Sequence, residues 1–411
     1  MREYLLVFLV SLSVTYLLTV VAREIALRTG AVAAVRDRDV HAVPIPYLGG
    51  LAMLGGLVAA YAVARELPFL SMSDAFVFRD AGIVLLAGAL VCGVGVLDDI
   101  FELDALTKLG GQVLAAALLV AMGVRFYWFP APDGNMVSVS DAQGAVLTFV
   151  VVIGTMNAVN FVDGLDGLAA GVVGIGAVAF FLYCYQLSDA NNLTLATTGA
   201  LLSAALAGAC AGFLPHNFHP ARLFMGDSGS MLIGLVLSAS ALTLTGQFFG
   251  MPTSAGNSLF VTVLPVLLPI SLLMVPIVDM VLAIVRRTRA GRSPMSADKQ
   301  HLHHRLLEIG HSQRRAVLIM WMWAATVAAG AVIVSLKRGE WVWWSLGTMV
   351  AATITLTFVL PRVQRPRKTG LGDTGLPENA EVEGRVDDAE DPLLEPREDP
   401  DGHVVRGFPG A

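Results

Sequence analysis

Residues 156–171 read M-N-A-V-N-F-V-D-G-L-D-G-L-A-A-G and put four polar side chains at the end of an otherwise unbroken apolar run. Residues 144–162 are long and apolar enough to cross a bilayer, a task that needs roughly 17–25 such residues for about 30 Å of hydrocarbon. Asn157 and Asn160 are three apart, so on a helix they share a face, and Asp163 and Asp166 repeat the spacing. Gly164 and Gly167 disfavour a continuous helix and suit a bend at which oxygens point into one space. Two amides and two carboxylates there can hold a hard divalent cation or its surroundings, or can simply cap a polar helix end.

Composition extends this reading to the whole chain. Its 411 residues are 55% hydrophobic and 15% charged, with mean hydropathy +0.68. That excludes an ordinary soluble domain and predicts an all-α polytopic membrane protein. Apolar windows fall near 3–22, 47–64, 81–97, 108–124, 144–162, 168–187, 194–214, 229–248, 260–285, 315–336 and 341–361, about eleven transmembrane helices. The first window lacks a basic leading region and a small-residue cleavage site, so it is expected to be retained. Cys92, Cys184 and Cys210 all fall within windows and suggest neither a disulfide framework nor a metal-type pair.

Charge divides the chain into two regions, a membrane domain over 1–368 and a tail over 369–411. The tail carries 12 acids against 3 basic residues, −9 of the overall −6, which leaves +3 for the membrane domain. Its Pro, Gly, Asp and Glu content predicts disorder. With the amino terminus outside, alternate loops hold 18 and 6 Lys and Arg residues. The positive-inside rule assigns the richer set to the cytoplasm, and those loops also hold the unusual polar residues.

Four further stretches lie on that side. Residues 36–50 include Arg38 and His41 before P-I-P-Y-L-G-G, suited either to a basic collar at lipid headgroups or to phosphate. Asp98 and Asp99 leave the third apolar window as a pair, and Lys108 opens the next. They suit a salt bridge, a metal-phosphate site, or a base with a raised pKa. Residues 215–230, P-H-N-F-H-P-A-R-L-F-M-G-D-S-G-S, set Asp227 in a glycine-rich turn entering a helix. This is either a plain turn or a carboxylate for a metal, with the first helical N–H groups facing phosphate and Phe224 stacking on a base. Finally, His301, His303, His304 and Arg305 fall within five residues of a strongly basic loop, and suit a diphosphate better than zinc. Acids and amides for a cation, beside cations for phosphates, describe phosphoryl transfer at the cytoplasmic surface. The competing class is a transporter of a lipid-linked or anionic solute, disfavoured by polar groups crowding one face without two matching halves.

V-R-D-R-D-V-H-A-V-P-I-P-Y-L-G-G, G-V-L-D-D, N-A-V-N-F-V-D-G-L-D-G-L-A, F-M-G-D-S-G-S and H-L-H-H-R-L, in this order, resemble the polyprenyl-phosphate N-acetylhexosamine-1-phosphate transferases over about residues 1–345. The histidine loop is more similar to the GlcNAc-1-phosphate branch than to the phospho-MurNAc-pentapeptide branch. The resemblance implies a Mg²⁺-dependent enzyme, with Mn²⁺ accepted, in the bacterial inner membrane. It implies transfer of GlcNAc-1-phosphate from UDP-GlcNAc to undecaprenyl or decaprenyl phosphate, the first membrane step of a cell-envelope glycan. Carried over, Asp227 and Asn160 would bind metal. Asp98 or Asp99 would deprotonate or position the lipid phosphate, and Lys108 would contact phosphate. Asp166 and Phe224 would hold uracil. Arg38, His41, His301, His303, His304 and Arg305 would serve the phosphates and sugar. Asn157 and Asp163 would shape the site, Asp163 beside the catalytic groups. The partners expected are the bilayer and these substrates, with a homodimer as an option and no nucleic acid.

Overall fold

The computed structural model describes residues 1–32, 44–130, 136–191, 196–245, 288–289, 312–336 and 340–363. The helices are α1 (Arg2–Thr29), α2 (Gly49–Ala64), α3 (Pro68–Ser71), α4 (Ala75–Phe101), α5 (Ala105–Ala121), α6 (Asp141–Val162), α7 (Leu168–Asn191), α8 (Thr197–Asn217), α9 (Gly226–Thr245), α10 (Gln313–Leu336) and α11 (Glu340–Val363). Ten of the eleven apolar windows coincide with these helices, and the window 260–285 lies outside the described residues. Among the described residues, seven helices are long and apolar enough to cross a membrane: α1, α4, α6, α7, α8, α9 and α10. The acidic tail also lies outside the described residues.

The expectation of a purely helical chain needs one correction. Strands β1 (Trp128–Pro130) and β2 (Met136–Ser138) pair antiparallel, Phe129 opposite Val137. The aromatic run F-Y-W-F before Pro130 and the V-S-V of 137–139 favour extended backbone. Helix starts follow local chemistry. Ser140 and Gln143 form a reciprocal capping box on α6, and Asp104 accepts from Leu106 N and Thr107 N at the start of α5.

Packing places α9 at the centre. It contacts α2, α4, α6 and α8, and 94% of its spanning window is buried against 28% for α1. Without a hydrophobic drive between helices in lipid, close contact depends on small residues. On α8, Gly208 and Gly212 lie against the α1 backbone, where an added Cβ would stand 2.3 Å from Phe8 O and 2.2 Å from Leu12 O. At the start of α9, a Cβ on Gly50 would stand 2.3 Å from Gly229 N, and one on Gly95 would stand 2.4 Å from Ser228 Cα. The backbones of α2, α4 and α9 therefore touch around residues 226–229.

Gly93 and Gly95 sit on the same helix, and a Cβ on Gly93 would meet nothing within 4 Å. Gly95→Ala is expected to destabilise the protein by about 1–3 kcal/mol or more through overpacking. Gly93→Ala should stay within about 1 kcal/mol of wild type. Thermal unfolding in detergent checks the pair, and indistinguishable midpoints would contradict this packing.

Candidate active site

Three short links, 102–104, 163–167 and 218–225, bring one set of helix ends together. The first turns the chain between α4 and α5 with Glu102 in a left-handed conformation, φ 49°. Asp98 and Lys108 thereby meet across a hairpin of helices: Lys108 Nζ lies 2.6 Å from Asp98 Oδ2. The other Asp98 oxygen accepts from Leu103 N at 2.8 Å. Lys108 Nζ also donates to Asp227 Oδ2 at 2.9 Å, so one ammonium bridges carboxylates from α4 and α9.

Asp227 is held from a third helix. Asn160 Nδ2 donates to Asp227 Oδ1 at 2.8 Å and to Ser230 Oγ at 2.9 Å. Asp99, adjacent to Asp98 on α4, faces the start of α9, where its oxygens accept from Asp227 N at 2.8 Å and Ser228 N at 3.3 Å. This corrects the expectation that these amides face phosphate. The anion at this helix N-terminus is the protein's own carboxylate, favoured there by unsatisfied N–H groups and the helix dipole. The approach requires Gly226, whose φ is 68° and whose added Cβ would stand 2.3 Å from Asp99 Oδ2.

Asp98, Asp99 and Asp227 each offer an oxygen within 4.8 Å of the others. Hard oxygen donors with one compensating lysine suit Mg²⁺ or Mn²⁺. Adjacent ligands of an octahedral Mg²⁺ stand about 3 Å apart, close to the 2.8 Å between the Asn160 amide and Asp227 Oδ1. Turned over, that amide would present its oxygen instead. The donor set thus fits a hard divalent cation.

The remaining predicted residues surround this cluster. Asp163, just past the end of α6, has its carboxyl pushed well above the usual carboxylate range, by desolvation first and then by the charges of Asp227, Asp99 and Asp166. Asn157 lies about one turn before Asn160 on α6 and exchanges amide hydrogen bonds with Gln112 of α5, the shorter at 2.7 Å. Asp166 is buried and accepts from His219 Nδ1 at 2.8 Å and Ala221 N at 3.1 Å. Phe224 is half-buried, its ring 5.9 Å from that of Tyr47, and its backbone pairs with Pro46 O and Gly49 N. Arg38, His41, His301, His303, His304 and Arg305 lie outside the described residues.

Sequence reasoning missed Gln112, Ser230 and His219. Gln112 is a buried amide inside an apolar helix, which was a readable signal. Ser230 and His219 lie within the quoted 215–230 stretch, but their partners lie 70 and 53 residues away.

Helix packing and helix-end polarity together define a polytopic membrane protein with an acid, amide and lysine site at one end of its bundle. The glycosyl transferase family 4 profile matches residues 81–245, the portion that carries this cluster. The decaprenyl-phosphate N-acetylglucosaminephosphotransferase of Mycobacterium tuberculosis (strain H37Rv) is 48% identical over 335 residues, 80% of this chain and 82% of that protein. A probable undecaprenyl-phosphate N-acetylglucosaminyl 1-phosphate transferase of Bacillus subtilis is 32% identical over 349 residues, 84% and 88% of the two chains. A phospho-N-acetylmuramoyl-pentapeptide-transferase of Mycolicibacterium smegmatis is 29% identical over 334 residues, 72% and 85%. The chain belongs to glycosyl transferase family 4.

Lys108 bridges Asp98 and Asp227, and among the described residues its loss leaves two close carboxylates without a cation between them. Lys108→Met is expected to cost about 1–3 kcal/mol, discounted for the partial exposure of the lysine. Lys108→Arg should cost less. Thermal midpoints at neutral pH decide this, and a Met variant as stable as wild type would contradict the charge argument.

Proposed function

We propose that this protein transfers GlcNAc-1-phosphate from UDP-GlcNAc to a membrane polyprenyl phosphate, decaprenyl phosphate in preference to undecaprenyl phosphate. The observation that carries the reading is the convergence of Asp98, Asp99, Lys108, Asn160 and Asp227 at the ends of apolar helices. The name and higher identity of the mycobacterial relative favour the GlcNAc substrate over UDP-MurNAc-pentapeptide.

In this reading an oxygen of the lipid phosphate attacks the β-phosphorus of UDP-GlcNAc. A new P–O bond forms, the bond from that phosphorus to the bridging oxygen breaks, and UMP leaves with the electron pair. Polyprenyl-diphospho-GlcNAc is the other product. A phosphate oxygen is already anionic near neutral pH, so the attack needs no covalent enzyme intermediate. The difficulty is repulsion between two anions. Lys108 is placed to offset it, and Asp98 positions the lysine as well as the incoming lipid phosphate. Asp227 and Asn160 would hold Mg²⁺ or Mn²⁺, which supplies positive charge to the phosphoryl oxygens and the leaving group. Asp99 fixes the start of α9 and thereby Asp227. Asp166 and Phe224 would face the uracil, and Asp163 and Asn157 would shape the space between. Arg38, His41, His301, His303, His304 and Arg305 would add cationic and imidazole donors for the phosphates and the sugar.

The excess of Lys and Arg on the loops that carry these residues supports a cytoplasmic site, in a chain of about eleven spans in the bacterial inner membrane. UDP-GlcNAc would arrive from the cytosol and the lipid from the bilayer. The product would begin a cell-envelope glycan.

Purified protein supplied with UDP-GlcNAc, decaprenyl phosphate and Mg²⁺ is expected to release UMP only when the lipid is present. Chelation should abolish release and added Mg²⁺ restore it. Asp227→Ala should lose on the order of 10²–10³-fold in turnover while remaining folded. Turnover of UDP-MurNAc-pentapeptide in preference to UDP-GlcNAc would move the chain to the other branch. Absence of UMP with any UDP-sugar would overturn the reading.

A further inference from the structure

Behind the acid–lysine cluster, one turn farther from the helix ends, lies a second set of contacts among the same helices. Four residues beyond Lys108 on α5 stands Gln112, three before Asn160 on α6 stands Asn157, and four beyond Asp227 on α9 stands Met231. Asn157 Nδ2 donates to Gln112 Oε1 at 2.7 Å and to Ile153 O at 2.8 Å, and Gln112 Nε2 lies 3.4 Å from Asn157 Oδ1. The same Gln112 nitrogen donates to Met231 Sδ at 3.3 Å. One amide thus joins the three helices whose ends bring Lys108, Asn160 and Asp227 together.

Gln112 is also the first buried residue of α5. The others are Ala115, Ala116 and Leu119, so the turns that carry Lys108 precede the buried part of the helix. Gln112 is 3% exposed, whereas Asn157 remains exposed. A lysine alone does not set the position of its helix, because its ammonium sits on a flexible four-carbon stem with three rotatable donors. The Gln112 amide has less freedom: its oxygen accepts from α6, and its nitrogen is shared between α6 and α9. An apolar side chain of the same length would fill the space without selecting one rotation of α5 against its neighbours.

We infer that Gln112 is a positioning residue for the transfer reaction: by joining α5 to α6 and α9 one turn behind the site, it sets how Lys108 stands between Asp98 and Asp227. The effect on rate rests on the proposed function of the cluster, whereas the effect on Lys108 does not. Gln112 itself need not touch the substrates. Displacing a catalytic group by about 1 Å costs up to about 10²-fold in rate, while side-chain hydrogen bonds between helices in a membrane add little stability. Loss of Gln112 should therefore be felt in kcat far more than in thermal stability.

The test uses Gln112→Met, which keeps an unbranched side chain of similar length and removes the amide. In detergent it is expected to melt within about 3 °C of wild type. Lipid-dependent UMP release should show KM for UDP-GlcNAc within about twofold and kcat lowered about tenfold. A second reading needs no turnover: the drop in thermal midpoint caused by Lys108→Met should be smaller in the Gln112→Met background than in wild type. Unchanged kcat in Gln112→Met, or midpoint shifts that simply add, would overturn the inference while wild-type transfer still supports the function. A loss of kcat accompanied by a large fall in midpoint would also overturn it, since a merely structural role would then suffice. Wild type that releases no UMP with any UDP-sugar would overturn the proposed function, and the midpoint comparison would then decide whether Gln112 positions Lys108.

Discussion

The start of α9 is fixed by a carboxylate that belongs to another helix. Asp99 accepts from the backbone N–H groups of Asp227 and Ser228, so the first turn of α9 is satisfied by α4 and not by its own cap. The contact demands that no side chain stand at Gly226 and that α4 present no Cβ at Gly95. Gly50 imposes the same requirement from α2, whose backbone N–H groups at Gly49 and Gly50 donate to Phe224 O and Met225 O. Once these three helices touch, the direction of the Asp227 side chain is determined. Lys108 and Asn160 then reach it from α5 and α6 without long or mobile connections.

That arrangement concentrates negative charge where water is scarce. Asp98, Asp99 and Asp227 have close oxygens, and Asp163 feels both Asp99 and Asp227. Carboxylates so near resist joint ionisation, and burying them is costly without compensation. Among the described residues Lys108 and the α9 amides supply part of it, and one ammonium cannot neutralise three carboxylates. A hard dication would relieve the imbalance, and the cluster is poor as a purely structural salt bridge. A packing role alone would be served better by apolar residues of similar volume.

The hydropathy pattern made the helices legible, because a span needs a long apolar run whatever its neighbours are. It did not reveal β1 and β2, whose three residues each are too short for a period-two signal. The acids and amides of the site were legible for a related reason: charge next to an apolar run is costly and calls for a partner. The partners themselves were not. Asp98 and Asp99 are neighbours in sequence, yet one binds a lysine and the other a helix N-terminus, a division set by α4 packing on α5 and α9. Glycines show the limit most plainly. Gly93 and Gly95 are two residues apart in the same apolar helix, yet one faces open space and the other the backbone of α9. Only the tertiary contact distinguishes them.

The polarity of the bundle explains why so many chemically different groups share one site. Helices α4, α6 and α8 deliver their C-terminal ends, and α2, α5, α7 and α9 their N-terminal ends, to the same side, where α4–α5, α6–α7 and α8–α9 are joined by links of three, five and eight residues. Side chains at such positions keep partial access to water while their backbones remain in the packed bundle. Lys108 and Asp227, at 31% and 24% exposure, have this intermediate character. A site in the middle of the spans would face a larger desolvation cost and exclude a charged soluble substrate, and one on long loops would lose its geometry. Helix ends avoid both difficulties, so the precision of the site derives from helix packing. The buried glycines at 50, 95 and 226 therefore belong to the site as fully as the acids whose positions they permit.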